Sequence, residues 1–209
     1  MIRSPLFAVA VAAGVAFGAA AVSTPASAQV VTKDPGHVQS GNYAVEPAHT
    51  RVLFAVSHMG FTTWYGNVSD ASGSLDFDAK VPSHSKLSIT LPTDSISTTN
   101  PKLDGELKSP TWLDAAKYPT ITFNATSITR TGHDTGRIKG ELTLHGVTQP
   151  VTLDAHFNGG GVNPLDKAYT IGFDGTTTIK RSAFGIKTYV PLIGDTVTVT
   201  ISSAFERRA

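Results

Sequence analysis

"TRVLFAVSH", Thr50 to His58, reads as a β-strand with two oily faces. Val52, Phe54, Val56 and His58 fall on one side, Leu53 and Ala55 on the other, because successive side chains of a strand point to opposite faces. An antiparallel strand with one face in water alternates apolar with polar residues. Something apolar is therefore expected against each face of this one.

Outward from that stretch, alternation with period two dominates, as half-buried strands require. "GSLDFDA" places Leu75 and Phe77 on one face, "SKLSITLP" Leu87, Ile89 and Leu91, and "TITFNATSI" Ile121, Phe123 and Ala125. The series continues with Ile138, Leu142 and Leu144, then Val151, Leu153, Ala155 and Phe157. Tyr169, Ile171 and Phe173 follow, and "DTVTVTIS" ends it with Val197, Val199 and Ile201. Ser and Thr fill most opposite positions, which suits a wet outer face.

One interval breaks the pattern. "NPKLDGELKSPTWLDAAKYP" contains Asn100-Pro101 and Ser109-Pro110, each an N-cap followed by proline at the first helical position. Two short helices are predicted here, with Leu103, Leu107, Trp112 and Leu113 as their apolar side. The expected fold is all-β with this short helical insert. About eight antiparallel strands close into a barrel, because closure removes the exposed edges. Such a barrel either fills with side chains or holds one small ligand. One face of Thr50–His58 then looks inward, and the other is expected under the helices or a second subunit.

The opening segment is set apart. Arg3, a long Ala/Val/Phe run and Ala26-Ser27-Ala28 follow the order of a secretory signal peptide, residues 1–28. Cleavage there leaves 209 − 28 = 181 residues with 17 − 1 = 16 basic and 16 acidic side chains. Formal neutrality argues against a nucleic-acid partner, whose phosphates demand clustered basic charge. Cysteine is absent, which excludes disulfides, thiolate nucleophiles and cysteine-ligated metals. Residues 29–41 lack periodicity and read as a flexible lead-in, and "NGGGVNP", Asn158 to Pro164, reads as a loop.

Motifs for chemistry are sparse. The histidines form no H-x-H, H-x-x-x-H or H-E-x-x-H arrangement, and no G-x-S-x-G elbow occurs. No catalytic or metal residue is assigned. What remains are polar groups in oily surroundings: Lys180 and Arg181 beside Ile179 and Phe184, and Trp64 and Tyr65 after Phe61. Aromatics that wall an apolar tail and a cation that meets a polar head are the elements of a pocket mouth.

These segments together resemble the YceI-like family of exported bacterial proteins, whose extended lipocalin-like barrels bind polyisoprenoid lipids. The resemblance runs from about Tyr43 to Phe205, within a domain taken as residues 42–209. It is carried in order by "YAVEPAHTRVLFAVSHMGF", "ITLPTDSISTTN", "LDAAKYPTITF", "GELTLHGVTQPVTL" and "IKRSAFGI". Tyr43 and Glu46 stand where Trp and Asp are usual in the family, and Ala183 where Asp is frequent.

The resemblance implies an eight-stranded antiparallel barrel with an apolar, ligand-binding lumen. Its wall would draw on Phe54, Val56, His58, Leu75, Phe77 and Ile89. Leu91, Phe123, Leu142, Leu153 and Phe173 would join them, as would Phe184, Val199 and Ile201. Phe61 and Trp64 count among the ligand-binding aromatics, and Arg181 and Lys180 would meet the headgroup. The implied role is non-catalytic binding or transport of a long-chain polyisoprenoid or similar lipid in the periplasm. No cofactor is implied beyond a bound isoprenoid lipid or quinone. The partners left open are a homodimer mate and a transient membrane contact. Two other readings are an enzyme acting on a prenyl lipid through His58 or Arg181, and an accessory partner of a quinone-dependent membrane protein.

Overall fold

The structure is a computed structural model that describes residues 31–208; the leader expected over residues 1–28 lies outside them. In chain order the strands are β1 (Gly41–His58), β2 (Thr62–Val68), β3 (Ser72–Phe77), β4 (Lys86–Pro92) and β5 (Ile96–Ser97). After helix α1 (Pro101–Lys108) come β6 (Thr120–Arg130), β7 (Thr135–Leu144), β8 (Val147–Val162), β9 (Tyr169–Lys180) and β10 (Ile193–Arg207). Every pairing is antiparallel, and β10 returns to β1 to close the sheet.

The closed ring has the eight strands expected, β1, β3, β4 and β6 to β10. The two extra segments are continuations. β3 pairs with the start of β1 (Gly41–Ala44) and β2 with its end (Val52–His58), so the two are halves of one interrupted strand. β4 and β5 follow the same division, β4 on β3 and β5 on β2. The break in β1 has a local cause at Glu46–Arg51, where its register with β10 shifts. Pro47 has no N–H to give to the ladder. Glu46 accepts from Ala48 N (3.0 Å), His49 N (2.7 Å) and the His49 ring (2.6 Å), and these contacts hold the bulge.

Helix α1 starts as read, with the Asn100 side chain accepting from the N–H groups of Lys102 and Leu103. Asp104 ties it to the barrel by accepting from the Thr98 N–H and hydroxyl, both at 2.6 Å. The second helix does not form. Leu113 and Ala115 instead donate back to the carbonyls of Leu107 and Lys108 (3.0 Å each), so the segment satisfies the open end of α1 as a run of turns.

Two further expectations change. Residues 32–40 of the lead-in pack on the barrel: Thr32 bridges Gly160, and Val38 is buried against Ile171 and Phe205. That contact also explains "NGGG", which is not a loop but the end of β8, its ladder to β9 continuing to Val162–Tyr169. On β1, Val52, Phe54 and Val56 face inward, but the helices do not roof the second oily face, which no described residue of the chain covers. Leu53 is 48% exposed, and its diagonal neighbour on β2, Tyr65, is 69% exposed. Helix α1 lies against β5 at the barrel end instead.

The end where β1 begins is floored by Val38, Tyr43, Leu75, Phe77, Phe157, Ile171 and Phe205. Phe173 meets Phe77, Phe157 and Phe205 in edge-to-face contacts at 6.0, 5.4 and 6.1 Å, the geometry favoured by ring quadrupoles. Tyr43 is fully buried and donates its hydroxyl to Gln39 O at 2.6 Å. Burial, assisted by Tyr169, pushes its phenol up from 10 to about 12.

The folded state therefore holds the Tyr43 proton after the unfolded chain has released its own, so stability is complete below about pH 10 and declines as pH rises towards about 12. Thermal unfolding across that window is expected to show a falling midpoint. In Tyr43→Phe the fall should flatten, with a baseline loss of roughly 0.5–1.5 kcal/mol for the missing hydrogen bond.

Candidate functional site

The inward side chains of the ring leave its middle unfilled, enclosing a cavity of about 330 Å³. Val197, Val199 and Ile201 point into it and are only half-buried for that reason; in a filled barrel they would be covered. Along β10 the lining runs from Ile193 to Phe205, roughly 30 Å of barrel axis at ~3.3 Å per residue and ~40° of tilt.

The wall offers water very little. Among the described residues, the charged or hydroxyl-bearing lining side chains are Thr50, Ser85, Asp174, Thr177, Arg181 and Ser203. The hydroxyls are already committed to backbone: Thr50 to Ala204, Ser85 to Asp78, Thr177 to Thr152 and Ser203 to Phe173. By volume the space could hold on the order of 10 waters, yet an apolar cavity does not retain water that lacks two to four polar partners. The site is shaped for hydrocarbon.

Two glycines keep it open. Phe54 on β1 lies opposite Gly66 on β2, and a Cβ on Gly66 would stand 2.3 Å from the Phe54 ring. A Cβ on Gly140 of β7 would likewise stand 2.4 Å from the Phe123 ring. Each large ring lies flat along the wall over a position without a side chain, instead of projecting across the lumen.

The far end of the cavity is ceiled by Trp112, Leu144, Phe184 and Ile186, with Leu107 and Leu113 packed against them. Arg181 sits here, 5% exposed, and donates to the carbonyls of Gly194 (2.9 Å), Ile186 (3.1 Å) and Ile193 (2.8 Å). Its guanidinium lies over Trp112, 5.3 Å from the ring centroid. Burial lowers its proton affinity, and Asp195 acts in the opposite sense. The Asp195 carboxylate accepts from Ser182 N and Oγ, both at 2.9 Å, and these bonds hold it below the usual carboxylate range. Arg181 thus fastens the 181–186 turn to the start of β10 and is the charged group at this end of the lumen.

The expected wall residues fall into two sets. Phe54 and Val56 from β1, Leu75 and Phe77 from β3, and Ile89 and Leu91 from β4 all line the cavity. So do Phe123, Leu142, Leu153 and Phe173, and Val199 and Ile201 from β10. The others lie elsewhere. His58 and Trp64 carry the inward phase but stand beyond the lining, where their rings meet at 5.7 Å. Phe61 is in the turn after β1 and is 85% exposed. Phe184 is 2% exposed and packs in the ceiling, because the 3-10 turn Arg181–Phe184 removes it from strand alternation. Lys180 points outward from β9 and donates to Thr196 Oγ1. Leu107, Trp112 and Leu113 of the helical insert do reach the cavity; their apolar side was visible in the sequence, its target was not.

Among the described residues, no group of three or more His, Cys, Asp or Glu is placed to hold a metal ion. The His58 ring makes no hydrogen bond to a described carboxylate or hydroxyl, and its ring contact is edge-on with Trp64.

A hollow antiparallel barrel with an apolar lumen and one terminal helix defines a small-ligand-binding class of fold. The model of the YceI-like domain matches residues 43–205, and the chain belongs to that family. The UPF0312 protein of Ectopseudomonas mendocina (strain ymp) is 38% identical over 169 residues, 80% of this chain and 88% of that protein. Burkholderia cenocepacia BcnA shares the fold with a TM-score of 0.69 and 24% identity, over 77% of this chain and 98% of that one. A polyisoprenoid binding domain from Saccharophagus degradans shares it at 0.60 and 14%, over 81% of this chain and all (100%) of the other.

Substituting Gly66→Ala or Gly140→Ala should cost ~1–3 kcal/mol by forcing a ring into the lumen. Gly105→Ala in α1, where an added Cβ meets nothing within 4 Å, should instead stabilise by ~0.5–1 kcal/mol; urea unfolding separates the two. Arg181→Met removes the donors to three carbonyls, one buried and two half-buried, and is expected to cost at least about 2 kcal/mol in the same assay.

Proposed function

We propose that this protein binds a long-chain polyisoprenoid, or a similar amphipathic lipid, inside the barrel, and carries it across the periplasm without chemical change. The observation that carries the reading is the lumen itself: long, apolar, and with its few hydroxyls turned to backbone. The S. degradans neighbour, described as a polyisoprenoid binding domain, supports the same ligand class. At 14% identity the weight rests on the cavity.

Magnitudes favour a tail-driven interaction. Burying a five-carbon isoprene unit gains ~3–4 kcal/mol at ~0.8 kcal/mol per carbon. Association and ordering cost ~4–15 kcal/mol, so a few buried units suffice for useful affinity. Arg181 is the group best placed to select among headgroups: a quinone oxygen, hydroxyl or phosphate reaching the ceiling would meet a guanidinium that has no ion-pair partner within 4.0 Å among the described residues. An enzymatic role would need an acid–base pair in the lumen, and His58 lies outside it.

Protein purified from its native host should release an organic-extractable prenyl lipid, identified by mass spectrometry. Ala155 lines the cavity opposite Gly175, and Ala155→Trp should reduce the extracted lipid several-fold while the fold survives. Clean extracts together with no prenyl lipid bound in titration would sink the reading.

A further inference from the structure

Resting on the reading that the lumen takes a lipid, we propose that the ceiling end of the barrel carries a membrane-docking surface. It is built from the β1–β2 turn and the loop before β10, and it seats the protein on a phospholipid bilayer.

Four large apolar side chains stand out on these two neighbouring segments. Phe61 is 85% exposed, Leu192 62%, Tyr189 60% and Met59 49%. The segments are joined directly, Met59 N donating to Leu192 O at 2.8 Å. Apolar side chains scattered singly over a surface need no explanation, but a contiguous cluster marks an interaction site. Leu53 and Tyr65 extend this one down the outer wall of β1 and β2, and so the bare second face of Thr50–His58 becomes part of the same surface.

The cluster is continuous with the cavity. The Tyr189 ring lies 6.2 Å from the Trp112 ring, and Trp112 is part of the lumen lining. Leu192 is followed by Ile193, which also lines the lumen and pairs with His58. A hydrocarbon passing between a bilayer and the lumen at this end would keep apolar side chains beside it.

Charge singles out a bilayer. Residues 57–66 and 185–194 contain no Asp or Glu; their basic members are His58 and Lys187, and their phenols are Tyr65 and Tyr189. Neither segment carries a carboxylate that would have to leave water as the surface docks, and Lys187 suits anionic headgroups. Tyr, an apolar ring with a polar hydroxyl, is also a side chain that concentrates where lipid meets water, and Tyr189 and Tyr65 both stand on this surface. The opposite end differs. Its most exposed apolar residue, Leu165 at 90%, is followed by Asp166, and Asp34, Asp78 and Asp134 accompany the packed lead-in and its neighbours.

The test is co-sedimentation of purified protein with phosphatidylethanolamine–phosphatidylglycerol vesicles. Wild type and Leu165→Ser should bind alike. Phe61→Ser should bind more weakly, and the double variant Phe61→Ser/Leu192→Ser should lose ~10-fold or more of its partitioning, with unchanged unfolding midpoints. Farnesol added from solution, followed by tryptophan fluorescence, should bind all four proteins equally. The docking surface is overturned if wild type ignores vesicles or the double variant binds them undiminished. It is overturned too if wild type sediments alone as a dimer that the double variant splits, since the cluster then joins two copies. Rim-dependent vesicle binding without farnesol binding would leave the surface standing and remove the lipid-carrying role.

Discussion

The ladder between β1 and β10 is the contact on which the rest depends. It runs from Tyr43–Arg207 to His58–Ile193, the first and last strands of the ring. Once it forms, every ring strand has a hydrogen-bonded neighbour on both sides, and eight strands set a radius that side chains alone need not fill. The register shifts at Glu46–Arg51 and Val56–His58 let a single long strand follow the curvature, since a bulge bends the strand and increases its twist. They also divide β1 between two partners, β3 below and β2 above.

A hollow interior is costly unless something supports the walls. Here the support lies at the ends. An aromatic floor around Phe173 and a ceiling around Trp112 are packed as an ordinary core is packed, while the middle carries rings laid flat over Gly66 and Gly140. Stability and capacity are thereby separated in space. Arg181 belongs to both: its three carbonyl bonds brace the ceiling, and its position on the lining puts a cation where a lipid head could meet it.

The lumen was legible wherever strand alternation alone decides direction. Phe54, Leu75, Ile89, Phe123, Leu142, Leu153 and Val199 could be placed by period two, and they line the cavity. Legibility failed where a strand ends or a turn begins. His58 and Trp64 keep the phase but overrun the cavity, Phe61 leaves the strand in a turn, and Phe184 is swung into the ceiling by a 3-10 turn. Lys180 and Arg181 are adjacent in sequence, yet one points to solvent and the other inward. The same limit applies to the lead-in and to "NGGG", which order each other by contact across more than a hundred residues.

By itself, then, the amino-acid sequence determined the class of fold, the eight-strand count and the apolar character of the inner face, because alternation and capping are local properties written residue by residue. It did not determine whether the barrel would be hollow. That was decided by how Phe54 meets Gly66 and Phe123 meets Gly140 across strands, and by which turns close over the two ends. Volume in a closed sheet depends on pairs of residues brought together by register, and register exists only once the chain has folded.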